Sequence, residues 1–125
     1  MKDKKVIKLT WAEVGVLIDE LAEKIDEEFE GIYAVPRGGL PIGVALSHKL
    51  GIPLLDSPTK DCLIVDDISD NGNTLSKTKG KKIACLHSTP WTKTKPDWFV
   101  AMKENKDEWI EYPWEENLHS KNRKL

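Results

Sequence analysis

The stretch Cys62-Leu-Ile-Val-Asp-Asp-Ile-Ser-Asp-Asn-Gly-Asn-Thr-Leu75 decides how the rest of the chain is read. Leu63, Ile64 and Val65 form a short, largely β-branched apolar run, the pattern of a buried strand. Asp66 and Asp67 follow where that strand should emerge from its sheet. Asp70 to Thr74 is then a small polar turn centred on Gly72, leading into the next element. In open α/β sheets, ligands sit beyond the carboxyl ends of the strands. A turn placed there can aim backbone N–H groups at a phosphate, helped by the start of a following helix. Two carboxylates beside it can accept from sugar hydroxyls or hold a divalent metal.

Working outward, 125 residues make one domain, expected over residues 1–117, with a charged tail over 118–125. Hydrophobic content is 39% and mean hydropathy is -0.46, so the chain reads as soluble with a modest core. No apolar run approaches the length of a membrane span. Met-Lys-Asp-Lys-Lys at the start lacks a following apolar stretch and does not read as a secretory signal. Cys62 and Cys85 fall inside expected strands without metal-ligand spacing, as small hydrophobes would. A reducing cytoplasm is the expected location. A net charge of -2 argues against bulk nucleic-acid or membrane binding. The lysines at 77, 79, 81 and 82 read as a solvated turn.

Upstream, Val6, Ile7 and Leu9 suggest a short first strand. Thr10-Trp-Ala-Glu13 has the form of a capping box. Trp11, Val14, Leu17, Ile18, Leu21, Ala22, Ile25 and Phe29 recur at helical spacing and predict a packing helix. Gly31 to Val35 is the next buried strand. It stops at Pro36-Arg-Gly-Gly-Leu-Pro41, a Gly-rich loop that carries a single arginine, Arg37, and opens a helix ending at Gly51. Ile52 to Leu55 predicts a third short strand. Downstream, Thr74 to Lys79 allows a short helix before Lys82 to His87 resumes as a strand, a gap long enough for a crossover to a parallel neighbour. Ser88 to Pro96 reads as a loop, Trp98 to Met102 as a strand, and Trp109 to Trp114 as an aromatic segment interrupted by Glu111. Strands alternating with helices predict a parallel α/β sheet.

The turn has a competing reading as a calcium loop, since Asp67-x-Ser-x-Asn-Gly72 matches half of an EF-hand. That motif needs Glu at its twelfth place, where Thr78 stands, and a helix in front rather than a strand. The calcium reading is therefore excluded. Instead, Leu63 to Thr74 closely resembles the phosphoribosyl-pyrophosphate signature of type I phosphoribosyltransferases: an apolar strand, two acids, then Asp-Thr-Gly-x-Thr. Arg37-Gly38-Gly39, between a strand and a helix, is similar to that family's pyrophosphate loop. Gly permits close backbone approach, and a guanidinium offers a fork to phosphate oxygens. The segment from Lys93 to Val100 and that from Asp107 to Glu115 resemble the xanthine-guanine branch of the family.

The resemblance implies a central parallel sheet flanked by helices, with a small C-terminal hood. It also implies Mg²⁺-dependent transfer of a phosphoribosyl group from phosphoribosyl pyrophosphate to a purine, in a homo-oligomer. Asp66 and Asp67 would engage the ribose hydroxyls, with Asp67 a metal ligand. Asp70 would act at the purine imidazole nitrogen as proton acceptor or hydrogen-bond partner. Asn71, Gly72, Asn73 and Thr74 would cradle the 5′-phosphate, and Arg37 and Gly38 the pyrophosphate. Trp109 would stack on the purine, Ile110 would contact it through its backbone, and Trp114 would pack internally.

Three departures from the family stand out. Relatives carry a long flexible loop before the signature strand, where Asp56 to Asp61 leaves a six-residue connection; the Trp91–Lys95 loop is the candidate cover. Relatives have lysine at the position of Thr89, where it reads the purine 6-oxo group; Thr89 is expected to border the purine as an uncharged hydrogen-bonding residue, with Lys93 or Lys95 the candidate replacement for the charge. Asn71 and Asn73 replace other residues in the turn but keep its hydrogen-bonding capacity. The short connection leaves a second expectation open, a nucleotide- or phosphoribosyl-pyrophosphate-binding protein without turnover.

Overall fold

The computed structural model describes residues 5–115; the expected tail over 118–125 lies outside them. The elements are β1 (Lys5–Lys8), α1 (Trp11–Lys24), β2 (Ile32–Ala34), α2 (Leu40–Leu50), β3 (Leu63–Ser69), α3 (Asn73–Ser76), β4 (Lys82–Ser88), β5 (Trp98–Met102) and β6 (Glu108–Glu111), closed by a 3-10 turn at Pro113–Glu115. Strands β2, β3, β4 and β5 form one parallel sheet in that order. Each successive connection returns the chain to the same end of the sheet, so the residues following β2, β3, β4 and β5 gather there.

Helices α1 and α2 pack together and cover one face, α1 over β4 and β5 and α2 over β2 and β3. Val14, Ile18, Leu21, Ile42 and Leu46 meet Ile32, Leu63, Val65, Ala84 and Leu86 in the main core. Each such Val, Leu or Ile side chain contributes about 1.5–3 kcal/mol when taken out of water. A smaller core on the other face joins Cys62, Ile64, Leu75 and Cys85, so both cysteines pack as the sequence predicts. Thr10 caps α1 as expected: its hydroxyl accepts from Glu13 N at 3.0 Å, and the Glu13 carboxylate accepts from Thr10 N at 2.8 Å. No described helix is long and apolar enough to cross a membrane.

Four local expectations change. The α1 helix stops at Lys24, yet Ile25 and Phe29 stay buried, Phe29 edge-on to Trp98 at 5.9 Å. Trp11 is 61% exposed and rests on Trp114 of the hood, 5.8 Å between rings, instead of entering the core. The third strand reduces to one bridge, Ile32 to Leu54, because Pro53 has no N–H to give to a ladder. Conversely, β3 runs on to Ser69, so Asp66 and Asp67 lie inside it. Pairing with β4 continues through Asp66–Cys85, Ile68–His87 and Ser69–Ser88, and that ladder overrides the low strand preference of aspartate.

The hood is β6 with its 3-10 turn, and β6 pairs in parallel with β1 in a separate two-stranded sheet. Tyr112 is fully buried beneath it, with Trp114 stacked on its ring at 5.0 Å.

One close approach fixes how α2 leaves the sheet. Gly39 N donates to Val35 O at 2.8 Å, and a Cβ at Gly39 would lie 2.5 Å from Val65 O and 2.8 Å from Val35 O. Gly39→Ala is expected to cost about 1–3 kcal/mol through overpacking against backbone that cannot give way. Urea denaturation of the two proteins reads this directly.

Candidate active site

The floor of the site is the end of β3. Asp67 is 9% exposed and Asp66 half-buried beside it. Asp66 Oδ1 accepts from Asp67 N at 2.9 Å, and Asp67 Oδ1 from Ile68 N at 2.7 Å. The loop after β2 closes one side, with Gly38 so near that a Cβ there would collide with the Asp67 carboxylate. Arg37, exposed beside it, makes no side-chain bond among the described residues. Turn 70–75 forms the other wall, around a cavity of about 180 Å³ that reaches down to Asp66. Its backbone reverses at Gly72, whose φ of 83° is the left-handed conformation that favours glycine. The Asn71 carboxamide oxygen accepts from Asn73 N at 2.8 Å, so this side chain shapes the turn. The helix that follows has only four residues, so an anion here would depend on the turn's backbone more than on a helix dipole.

Packing two carboxylates at the edge of a core is costly. Burial first, then the neighbouring Asp67 charge and the hydrogen bond to it, pushes Asp66 up to about 8. Burial also raises Asp67, although hydrogen bonds from Asp66 and from the backbone hold it down in part. Burial and mutual repulsion therefore disfavour two full negative charges on the pair. These oxygens are hard donors of the kind that bind Mg²⁺. No cluster of three or more His, Cys, Asp or Glu converges among the described residues. The protein thus offers two carboxylates, and substrate oxygens and water must complete a shell, as is common for Mg²⁺ bound with phosphates. The donor set fits that ion.

A second layer, not foreseen from the sequence, supports Asp67. The Tyr112 hydroxyl donates to Asp67 O at 3.1 Å, and His87 Nδ1 lies 2.7 Å from the same hydroxyl oxygen. With the phenolic proton committed to a carbonyl, His87 must carry its proton on Nδ1 and donate it. Burial lowers His87 to about 4, so the ring stays neutral.

The Trp91–Lys95 loop is tied down, which does not suit a swinging cover. Trp91 Nε1 donates to Asp70 Oδ1 at 2.9 Å and Lys93 N to Asn71 O at 3.1 Å. Thr94 Oγ1 donates to Gly72 O at 2.8 Å, and Ser69 Oγ donates to Thr94 O at 2.6 Å. The loop braces the turn from outside. Thr89 is buried and donates to Asp70 O at 2.5 Å. The other Asp70 oxygen, Oδ2, accepts from Lys103 Nζ at 3.3 Å, a residue the sequence reading passed over. Trp109 and Ile110 sit on β6 in the hood, both half-buried, with Ile110 against the main core.

The raised Asp66 makes a signed prediction. Between pH 4 and 8 the folded protein binds more protons than the unfolded chain, so this group erodes stability as pH rises. Asp66→Asn, which keeps the hydrogen bond without the charge, is expected to be more stable than the parent at pH 7.5 by on the order of 2 kcal/mol. The advantage should vanish near pH 4. Urea denaturation at both pH values in metal-free buffer is the measurement; equal stability at pH 7.5 would refute the assignment.

No family model matches the chain. It is 33% identical to the xanthine-guanine phosphoribosyltransferase of Vibrio parahaemolyticus serotype O3:K6, over 88% of this chain and 89% of that one. Identity to the protein of the same name from Vibrio atlanticus is 32%, over 94% and 93%. The first alignment spans 139 positions but takes in 88% of 125 residues, about 110, so about 29 positions of the alignment have no counterpart here. A solved purine phosphoribosyltransferase from Pyrococcus horikoshii Ot3 superposes with a TM-score of 0.75 at 36% identity, covering 87% of this chain and 93% of that one. The Helicobacter pylori xanthine-guanine-hypoxanthine phosphoribosyltransferase also gives 0.75, at 22% identity over 91% and 96%, a likeness of fold. Sequence identity of this extent, joined to the paired aspartates and the Gly-centred turn at the sheet's end, places the chain in the family of the xanthine-guanine phosphoribosyltransferases.

Proposed function

We propose that the protein transfers the 5-phosphoribosyl group of phosphoribosyl pyrophosphate to a ring nitrogen of a purine, with Mg²⁺ as cofactor, releasing pyrophosphate. The observation that carries this reading is the pair Asp66–Asp67 at the sheet's end, with Asp66 opening on the cavity of turn 70–75 and Asp67 against Gly38. The xanthine-guanine relatives bring the purine as acceptor. Exposed apolar side chains on α1 and α2, Val16 and Val44 among them, support a homo-oligomer.

Each residue has a physical task. The turn from Asn71 to Thr74 holds the 5′-phosphate through backbone N–H groups other than that of Asn73, which the Asn71 side chain occupies, without an added charge. Arg37 reaches the pyrophosphate, and Gly38 lets it approach Asp67 without a side chain in the way. Asp66 and Asp67 accept from the ribose 2′- and 3′-hydroxyls and fix the ring. As the C1–O bond to pyrophosphate breaks and the C1–N bond to the purine forms, positive charge grows on the sugar, and the two carboxylates face it. The purine nitrogen loses its proton to Asp70, whose oxygens each retain an acceptor site. Trp109 stacks on the base, Ile110 borders it through its backbone, and Thr89 holds Asp70 in place. Asp67, with Asp66 beside it, would hold Mg²⁺, which supplies charge neutralisation to the departing pyrophosphate.

The test is incubation with phosphoribosyl pyrophosphate, Mg²⁺ and, separately, guanine, xanthine, hypoxanthine and adenine, with products separated by chromatography. A nucleoside monophosphate from at least one base, with pyrophosphate in equal amount, is expected. No nucleotide from any base would refute the proposal.

A further inference from the structure

The sheet and the hood meet at one peptide unit, Asp67–Ile68. β2 pairs with β3 only as far as Ala34–Val65, so past Val65 strand β3 is laddered on the β4 side alone. On that side the register pairs Asp66 with Cys85 and Ile68 with His87, with no pair at Asp67. The Asp67 carbonyl oxygen is met by a side chain 45 residues away, the Tyr112 hydroxyl, at 3.1 Å. Because a peptide unit is planar, that oxygen and the Ile68 N–H turn together. Ile68 N donates to Asp67 Oδ1 at 2.7 Å. A rotation that takes the carbonyl off Tyr112 therefore takes the N–H off the carboxylate.

Tyr112 is held firmly enough to fix such a plane. It is 1% exposed. Trp114 stacks on its ring at 5.0 Å, and the His87 ring leans on it at 5.6 Å. Its backbone oxygen accepts from Glu115 N at 2.8 Å. His87 Nδ1, 2.7 Å from the phenolic oxygen, donates to it, which leaves the phenolic proton for Asp67 O. Packing alone would be served by phenylalanine, since a buried hydroxyl costs free energy unless it is bonded. The hydroxyl and its histidine are spent on the strand backbone beside the carboxylate.

We propose that Tyr112, held by His87, is a positioning residue for the Asp67 carboxylate. By fixing the Asp67–Ile68 peptide it keeps Oδ1 on the Ile68 N–H and presents Oδ2, the oxygen nearest Gly38, to the substrate. This rests on the reading of Asp67 as a partner of the ribose hydroxyls and a ligand of Mg²⁺. A carboxylate already held in place loses less freedom when its ligand arrives. Tyr112 directly follows β6, so the hood reaches the floor of the site through this bond.

The first experiment needs no substrate. Amide hydrogen exchange is followed in ¹⁵N-labelled, metal-free parent and Tyr112→Phe, a change that keeps the ring and removes the hydroxyl. Exchange at Ile68 should rise about ten-fold relative to Leu63 and Val65 of the same strand. In steady-state kinetics, Tyr112→Phe should raise the KM for phosphoribosyl pyrophosphate by about ten-fold and leave the KM for the purine within about two-fold. Mere loss of folded protein would lower kcat and move neither KM. Exchange at Ile68 that rises only in step with Leu63 and Val65 would overturn the proposal, whatever the kinetics. Absence of turnover in the parent would refute the transferase reading instead, and the exchange rates would still decide on Tyr112. Should Tyr112→Phe fail to fold, His87→Leu, which leaves the phenol without its donor, should raise exchange at Ile68 in the same selective way; an unchanged rate there would overturn the proposal.

Discussion

Everything at the site follows from holding two adjacent carboxylates against each other at the end of a buried strand. Ladder pairing with β4 keeps β3 extended through Asp66 and Asp67, and the absence of a side chain at Gly38 leaves room for the Asp67 oxygens. The cost shows in Asp66, pushed up to about 8 by burial and by its neighbour. A protein selected for stability alone would not keep such a pair. Strain of this kind concentrates where charge must later be met by a ligand. Under the proposed function, that ligand is a sugar turning cationic as pyrophosphate departs. The fold supplies the counterweight: a core on both faces of the sheet, and a buried Tyr112 that anchors the strand backbone at Asp67 from the hood.

The second constraint is the brace. Turn 70–74 is short and polar, and alone it would sample many conformations. The chain segment after β4 bonds to it at Ser69, Asp70, Asn71 and Gly72 in succession. The same segment carries Trp91 beside Lys103, so the turn and the Asp70–Lys103 pair share one support. This arrangement suits a chain in which the connection before β3 is short. Its alignments to relatives leave about 29 positions unmatched. Where a long loop would close and exclude water, this protein instead offers a site whose walls are preset.

Much of this was legible in the residues themselves. The strand run, the two acids and the Gly turn pointed to the α/β class that the structure shows, and the acids and the turn do stand together at the sheet's end. The capping box at Thr10 and the stop at Gly51 placed two helix ends. What failed depended on partners distant in sequence. Aspartate disfavours strands, so only β4 could reveal that β3 continues past Val65. Ile52 to Leu55 has strand-like composition, but Pro53 breaks its ladder. Lys103 was invisible because a lysine after a strand is normally solvated; here it is buried, with the ring of Trp91, twelve residues earlier, beside its ammonium. Tyr112 lay in an aromatic segment with no clear period, and its tie to Asp67 spans the domain.

The central claim is that the turn after β3 is the phosphate cradle. The most direct measurement is a titration of ¹⁵N-labelled protein with ribose 5-phosphate, followed by backbone amide shifts. The account predicts that the largest shifts fall on residues 71–75, with smaller ones at Asp66 and Asp67. Shifts confined to the exposed faces of α1 and α2, with the turn unmoved, would contradict it.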